Sequence, residues 1–149
     1  MERRQEEHDA TCFGLDGGGC IALVMAGCVM QSMPEPDEGA LLFASNCAMC
    51  HGASGRGNGE LAADIRADLG RKPADLTRIS AHNKGVFPRA EVLSYIDGYT
   101  RGRLERQNMP EFGLLLEGPT VPVDTGDGVM TPVPRPLAAL MVYLESLQR

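Results

Sequence analysis

Cys47-Ala48-Met49-Cys50-His51 limits what this 149-residue chain can fold into more than any other stretch of it. The residues ahead of the motif, from Gly39 to Asn46, suit a helix that opens after Pro36, with Asp37 or Glu38 at the positive end of its dipole. The residues behind it, Gly52-Ala-Ser-Gly-Arg-Gly-Asn-Gly59, cannot stay helical. Both thiols and the imidazole are therefore expected on a last helical turn that runs out into a glycine-rich loop. Thiols three residues apart face one side of a helix, and the imidazole follows at once. That spacing is the attachment signature of haem c. Two thioethers reach the vinyl groups of one porphyrin edge, and His51 brings a ring nitrogen to the iron. A zinc site would need a second pair of ligands, but His8 and His82 stand alone and no Cys follows Cys50. A thioredoxin-type dithiol would follow a strand in a βαβ pattern, which the sequence lacks.

One covalent haem also answers a shortage in the composition. Four Phe, three Tyr and no Trp supply little of the bulk that normally fills a core. At 43% hydrophobic residues the chain is nonetheless not a disordered one. Its net charge of −6 provides no basic stripe for nucleic acid. No apolar run approaches the ~20 residues that span a bilayer.

The first part of the chain reads as a leader. Residues 1–19 are polar and end in three glycines, and the short apolar run Cys20–Gly27 fits the core of a signal peptide. Met25-Ala26-Gly27-Cys28 resembles the lipobox of bacterial lipoproteins, with Met25 where Leu is usual. The resemblance implies an acylated Cys28 as the mature N-terminus. The expected division is a leader over 1–27, a linker or lipid-anchored tether over 28–38 kept extended by Pro34 and Pro36, and one domain over 39–149. The odd count of five cysteines then resolves. Cys12 and Cys20 leave with the leader, Cys28 takes lipid, and Cys47 and Cys50 become thioethers, as suits an exported protein.

The second iron ligand must come from later in the chain. Met109, Met130, Met141 and His82 are the candidates. Met109 precedes Pro110, whose fixed backbone can hold a thioether rigidly. Met141 falls on an apolar helical stripe, and Met130 lies in a Gly/Pro-rich loop. Met109 is the expected ligand.

Together, Gly39 with Phe43, the Cys47–Gly52 run, Met109-Pro110 and the final amphipathic helix resemble the class I c-type cytochromes, over roughly 37–149. The resemblance implies an all-α fold around one haem, with the first and last helices crossing at Gly39 and with Phe43, Leu140 and Tyr143 packed there. It also implies that the Pro73 carbonyl accepts a hydrogen bond from His51, fixing the ring and raising its basicity. Independently of the family, Leu137, Leu140, Met141, Leu144 and Leu147 form a helical stripe after Pro134 and Pro136. Arg89–Asp97 reads as a helix with Val92, Leu93 and Ile96 inward. The segment 117–134, with Asp124-Thr-Gly-Asp-Gly128 between Val pairs, is expected to form a small β-hairpin that shields the Met side of the haem. The 55–59 loop lacks the strand and the Lys-Ser/Thr of a phosphate cradle and is expected to fold round the haem edge. Arg101, Arg103 and Arg106 form a basic group that suits propionates, an acidic partner or plain solvent.

The functional expectation is a monomeric, periplasmic single-electron carrier with His51/Met109 ligation and a positive potential. It would dock redox donors and acceptors at an exposed haem edge and could be tethered to the membrane through Cys28. Two rivals stand beside it. One is a haem-bearing subunit of a periplasmic oxidoreductase, and the other a ligand or redox sensor with a displaceable Met109. A site for direct catalysis is not expected.

Overall fold

Pro36 opens the first helix, α1 (Pro36–Asn46), because its missing N–H falls where a helix has no use for one. The computed structural model describes residues 32–99 and 109–149. The leader with Cys12 and Cys20, the acylation candidate Cys28 and the basic group Arg101, Arg103 and Arg106 lie outside them. In the first turn of α1 the Glu38 carboxylate accepts from the Glu35 backbone N–H at 3.4 Å. The helix yields at Cys47, and a separate short turn, α2 (Ala48–His51), carries the motif. The expected single helix is thus two, joined by Cys47 N–H donating to Phe43 O at 2.9 Å. A second difference concerns the linker. Residues 36–38 belong to α1, Pro34 is buried, and the Ser32 carbonyl accepts from Arg135 at 2.9 Å. From Ser32 onward the chain is already part of the domain, so the boundary expected at Gly39 lies too late.

The remaining elements are α3 (Ala62–Leu69), a 3-10 turn (Leu76–Arg78) running into α4 (Ile79–His82), α5 (Arg89–Asp97), a second 3-10 turn (Gly113–Leu116), β1 (Thr120–Asp124), β2 (Met130–Pro134) and α6 (Arg135–Ser146). The helix α5 spans the expected residues, buries Val92, Leu93 and Ile96, and stops at Gly98, whose φ of +99° a side chain would resist. In α6 the residues Leu137–Met141 and Leu144 are buried. More than one full turn of it thus sits inside the molecule.

The crossing of α1 and α6 organises the core. Gly39 is buried there, and the Phe43 and Tyr143 rings pack 5.2 Å apart at 53°. Phe43 is 1% exposed, and its burial stabilises by about 1.5–3 kcal/mol. Arg135 at the start of α6 reaches back to α1, with Nε 3.0 Å from Glu38 Oε2.

The strands β1 and β2 form the expected hairpin, an antiparallel pair with Val121 opposite Val133. Val121, Val123 and Val133 are buried, so one face of the hairpin packs inward. Asp124 Oδ1 closes the turn by accepting from the N–H groups of Gly126 and Gly128 at 2.8 and 3.0 Å. The Arg89 side chain ties three elements together. Its Nε and Nη2 hold Glu145 of α6 at 3.0–3.2 Å, and Nη1 donates to the Asp124 carbonyl at 3.2 Å.

Candidate functional site

Cys47, Cys50 and His51 all line one cavity of about 380 Å³, reached from the short turn α2, which follows α1 and ends at Gly52 (φ +76°). That size is in the usual range for a pocket that encloses a small molecule. Phe43, Leu140 and Leu144 of the helix crossing form part of its wall, and Val92 and Ile96 of α5 form another. Ile65 and Leu69 of α3 and Leu76 and Ile79 also contribute. The wall is therefore overwhelmingly hydrocarbon, and it is continuous with the core.

Cys47 and Cys50 do not pair with each other as a disulfide. Burial, with a smaller effect from the neighbouring Cys50, pushes the Cys47 thiol up to about 11. It is thus a protonated, apolar-facing group at neutral pH, not an activated thiolate. Among the described residues no three His, Cys, Asp or Glu side chains gather to hold a metal ion on their own.

The His51 ring stands with Nδ1 3.0 Å from the Ala74 carbonyl oxygen. A carbonyl can only accept, so Nδ1 carries the proton and Nε2 keeps its lone pair. Burial lowers the pKa of His51, and the hydrogen bond to Ala74 opposes this in part. The neutral imidazole that results is the form able to bind a metal.

Here the expectation for Pro73 is corrected. Pro73 lines the cavity, but the carbonyl that meets His51 belongs to Ala74. The Pro73 carbonyl is turned instead against Gly57, close enough that a Cβ on Gly57 would overlap it. One residue of register separates the two, and only the path of the backbone decides between them.

Of the candidates for the second ligand, Met109 lines the same cavity as His51. Met141 is wholly buried in the core, Met130 is 65% exposed on β2, and His82 is exposed at the end of α4. None of those three lines the cavity. The hairpin does not line it either, so the expected shielding by 117–134 is not found, because its valines are spent on the core beside α6. Likewise the 55–59 loop folds back on the motif and stays out of the cavity wall. Gly57 N–H donates to His51 O at 2.8 Å and Gly59 N–H to Cys50 O at 3.2 Å.

Some lining residues escaped the sequence reading. Ile65 and Leu69, four apart on α3, carry a helical signal that a scan for short amphipathic helices would find. Arg71, Lys72 and Tyr95 bring polar groups to the rim, but nothing in their local sequence marks them.

The pairing of two thiols, a neutral imidazole and a thioether in one hydrocarbon-walled cavity fits a covalently held haem. Comparison with known proteins agrees. The family model described as Cytochrome c matches residues 36–112. A stretch of 69 residues is 44% identical to the Cbb3-type cytochrome c oxidase subunit FixP of Azorhizobium caulinodans, covering 43% of this chain and 24% of that protein. The chain thus spans about a quarter of the length of that curated relative. No solved structure matches.

Proposed function

Since the chain belongs to the cytochrome c family, whose members carry covalently attached haem c, we propose that it is a periplasmic single-electron carrier with His51 and Met109 as axial ligands. The observation that supports this reading is the meeting of Cys47, Cys50, His51 and Met109 around one apolar cavity. When bound, the haem supplies the chemistry, taking up and releasing one electron at its iron. The chain's residues supply the rest. Cys47 and Cys50 are the thioether donors, and Ala74 holds His51 as the Nδ1–H tautomer. Pro110 fixes the backbone beside Met109. The hydrocarbon wall keeps water out and disfavours the more highly charged oxidised state, which raises the potential. Arg71 and Lys72 supply the cations at the rim that suit carboxylates. If His51 and Met109 were both to hold the iron, no position would be left there for a substrate, which suits a chain that moves electrons.

An alkaline pyridine haemochrome spectrum of the holoprotein tests the attachment, the expected result being a haem with both vinyl groups saturated. The far-red Met–Fe(III) charge-transfer band tests Met109, expected in the native protein and absent from Met109→Ala. Rapid carbon monoxide binding by the ferrous native protein at neutral pH would overturn the six-coordinate carrier in favour of a sensor.

The relative's name favours one further reading, that the chain serves as the haem-bearing subunit of a cytochrome c oxidase. Purification from mild detergent tests it, a stable stoichiometric complex being expected on this reading and a monomer on the first. In both readings the partners are redox proteins. Export and acylation at Cys28 complete the proposal, and Ser32, held by Arg135, would leave three residues of leash between lipid and domain. Mass spectrometry of the mature N-terminus tests this, an unmodified Cys28 ruling it out.

A further inference from the structure

We propose that Gln148 and Arg149 are positioning residues for the proximal imidazole, acting through the 73–77 segment that carries the Ala74 carbonyl. The inference rests on His51 being an iron ligand. Residues 72–75 form neither helix nor strand, so a carbonyl among them has no regular ladder to fix its direction. It is fixed by its neighbours instead. On one side Leu76 N–H donates to Gly55 O at 2.7 Å, and Gly57 admits the Pro73 carbonyl. On the other side the fixing groups come from beyond α6.

Gln148 uses both ends of its amide there. Its Oε1 accepts from Ser80 N–H at 2.8 Å, while Nε2 donates to Leu76 O at 2.9 Å and to Leu144 O at 2.7 Å. One side chain thus bolts the start of α4 and the residue two beyond Ala74 onto α6. Arg149 adds three more links. Its backbone N–H donates to Thr77 O at 3.2 Å, its Nε to Thr77 Oγ1 at 2.8 Å, and its Nη2 lies 3.4 Å from Asp75 Oδ2. Thr77 in turn gives both its N–H and its hydroxyl to Asp75 Oδ1, at 3.0 and 2.6 Å. Thr77 is 4% exposed and is the buried polar residue of the described core. A hidden threonine bonded on every side is the mark of a fixed joint.

The joint lies next to Ala74, and its purpose follows from the chemistry of the ring. Donation from Nδ1–H to a carbonyl makes Nε2 a stronger donor to iron, which favours the oxidised state. If the joint loosens, Ala74 wanders, the donation weakens and the potential rises. A brace that served stability alone would leave the potential where it was.

The test uses neutral substitutions in the holoprotein, so that no added charge moves the potential by itself. Gln148→Met keeps the length of the side chain and removes its three hydrogen bonds. Thr77→Val keeps the shape of the joint and removes the hydroxyl, and it stands in should Gln148→Met fail to fold. Val121→Ala, in the hairpin core away from the cavity, is the control for lost stability. Two quantities are read: the exchange rate of the His51 Nδ1–H in the reduced protein by NMR, and the midpoint potential. Gln148→Met or Thr77→Val is expected to speed exchange roughly tenfold, about the effect of one net hydrogen bond, and to raise the potential. Val121→Ala is expected to change neither. If the joint variants only lower the melting temperature, as the control does, the positioning role is overturned. If the native reduced protein lacks the shifted ring signals of an iron-bound imidazole, the ligand assignment fails instead.

Discussion

Gly39 and Ala139 meet where α1 crosses α6, so closely that a Cβ on Gly39 would overlap the Ala139 carbonyl and lie 2.6 Å from Tyr143 Cβ. The backbones themselves are the contact. Neither can yield without moving a helix, and both helices hold cavity-lining residues.

Gly39→Ala is therefore expected to destabilise the holoprotein despite alanine's better helix propensity. The gain of up to about 1 kcal/mol from propensity is outweighed by overpacking of about 1–3 kcal/mol or more. The measurement is the urea midpoint of the native and variant proteins. An unchanged or raised midpoint would show that the helices part without cost.

Cys47→Ser and Cys50→Ser are each expected to leave one vinyl group unsaturated. The α-band of the pyridine haemochrome should move to longer wavelength in both variants, to the same extent. A native-like spectrum from either would exclude that cysteine from attachment.

Gly57→Ala is expected to disturb the proximal side from behind. Gly57 sits at φ +72°, and an added Cβ would overlap the Pro73 carbonyl, so the Pro73-Ala74 segment must shift. The midpoint potential should rise, with the far-red Met–Fe(III) band retained. Loss of that band would mean that the damage had spread to the opposite ligand.

Acid stability should depend on Glu38. The Arg135 guanidinium hydrogen-bonded to it holds this carboxyl below its ordinary value in the folded protein. The unfolded chain binds a proton at that position first as pH falls. The pair's contribution is thus complete above the ordinary Glu value of about 4.3 and disappears as pH falls through the lower folded value. Urea midpoints measured from pH 7 down to pH 3 should fall more for the native protein than for Glu38→Gln, and the two curves should converge at the acid end. Asp75 and Asp124 are held low as well, by Thr77 and by the Gly126 and Gly128 N–H groups, so the difference between curves isolates Glu38. Parallel curves would refute the linkage.

The elements that could be read from the sequence were those with a local cause. Cys47, Cys50 and His51 announce themselves by covalent spacing, and α5 does so by an apolar face ended by Gly98. The hairpin follows from valines that alternate about a turn of Gly and Asp. Gly39 needed the resemblance, since nothing local says which helix a glycine faces. What stayed hidden was set by contacts distant in sequence. Ala74 offers a backbone oxygen with no side-chain signature, and choosing between it and Pro73 required the position of Gly57. Gln148 and Arg149 look like an ordinary polar end to an amphipathic helix. Their meaning appears only when Leu76 and Thr77 are folded against them. The hairpin, readable as a hairpin, was misplaced because alternation shows which face is buried but not against what.

That misplacement makes the hairpin experimentally convenient. Its valines and the Arg89 bond to Asp124 fasten its strands, while residues 126–130 are exposed and nothing lies within 4 Å of where side chains on Gly126 or Gly128 would begin. Its tip is therefore a handle: a fluorophore, spin label or affinity tag inserted there would report on or immobilise the cytochrome without touching a wall of its redox cavity.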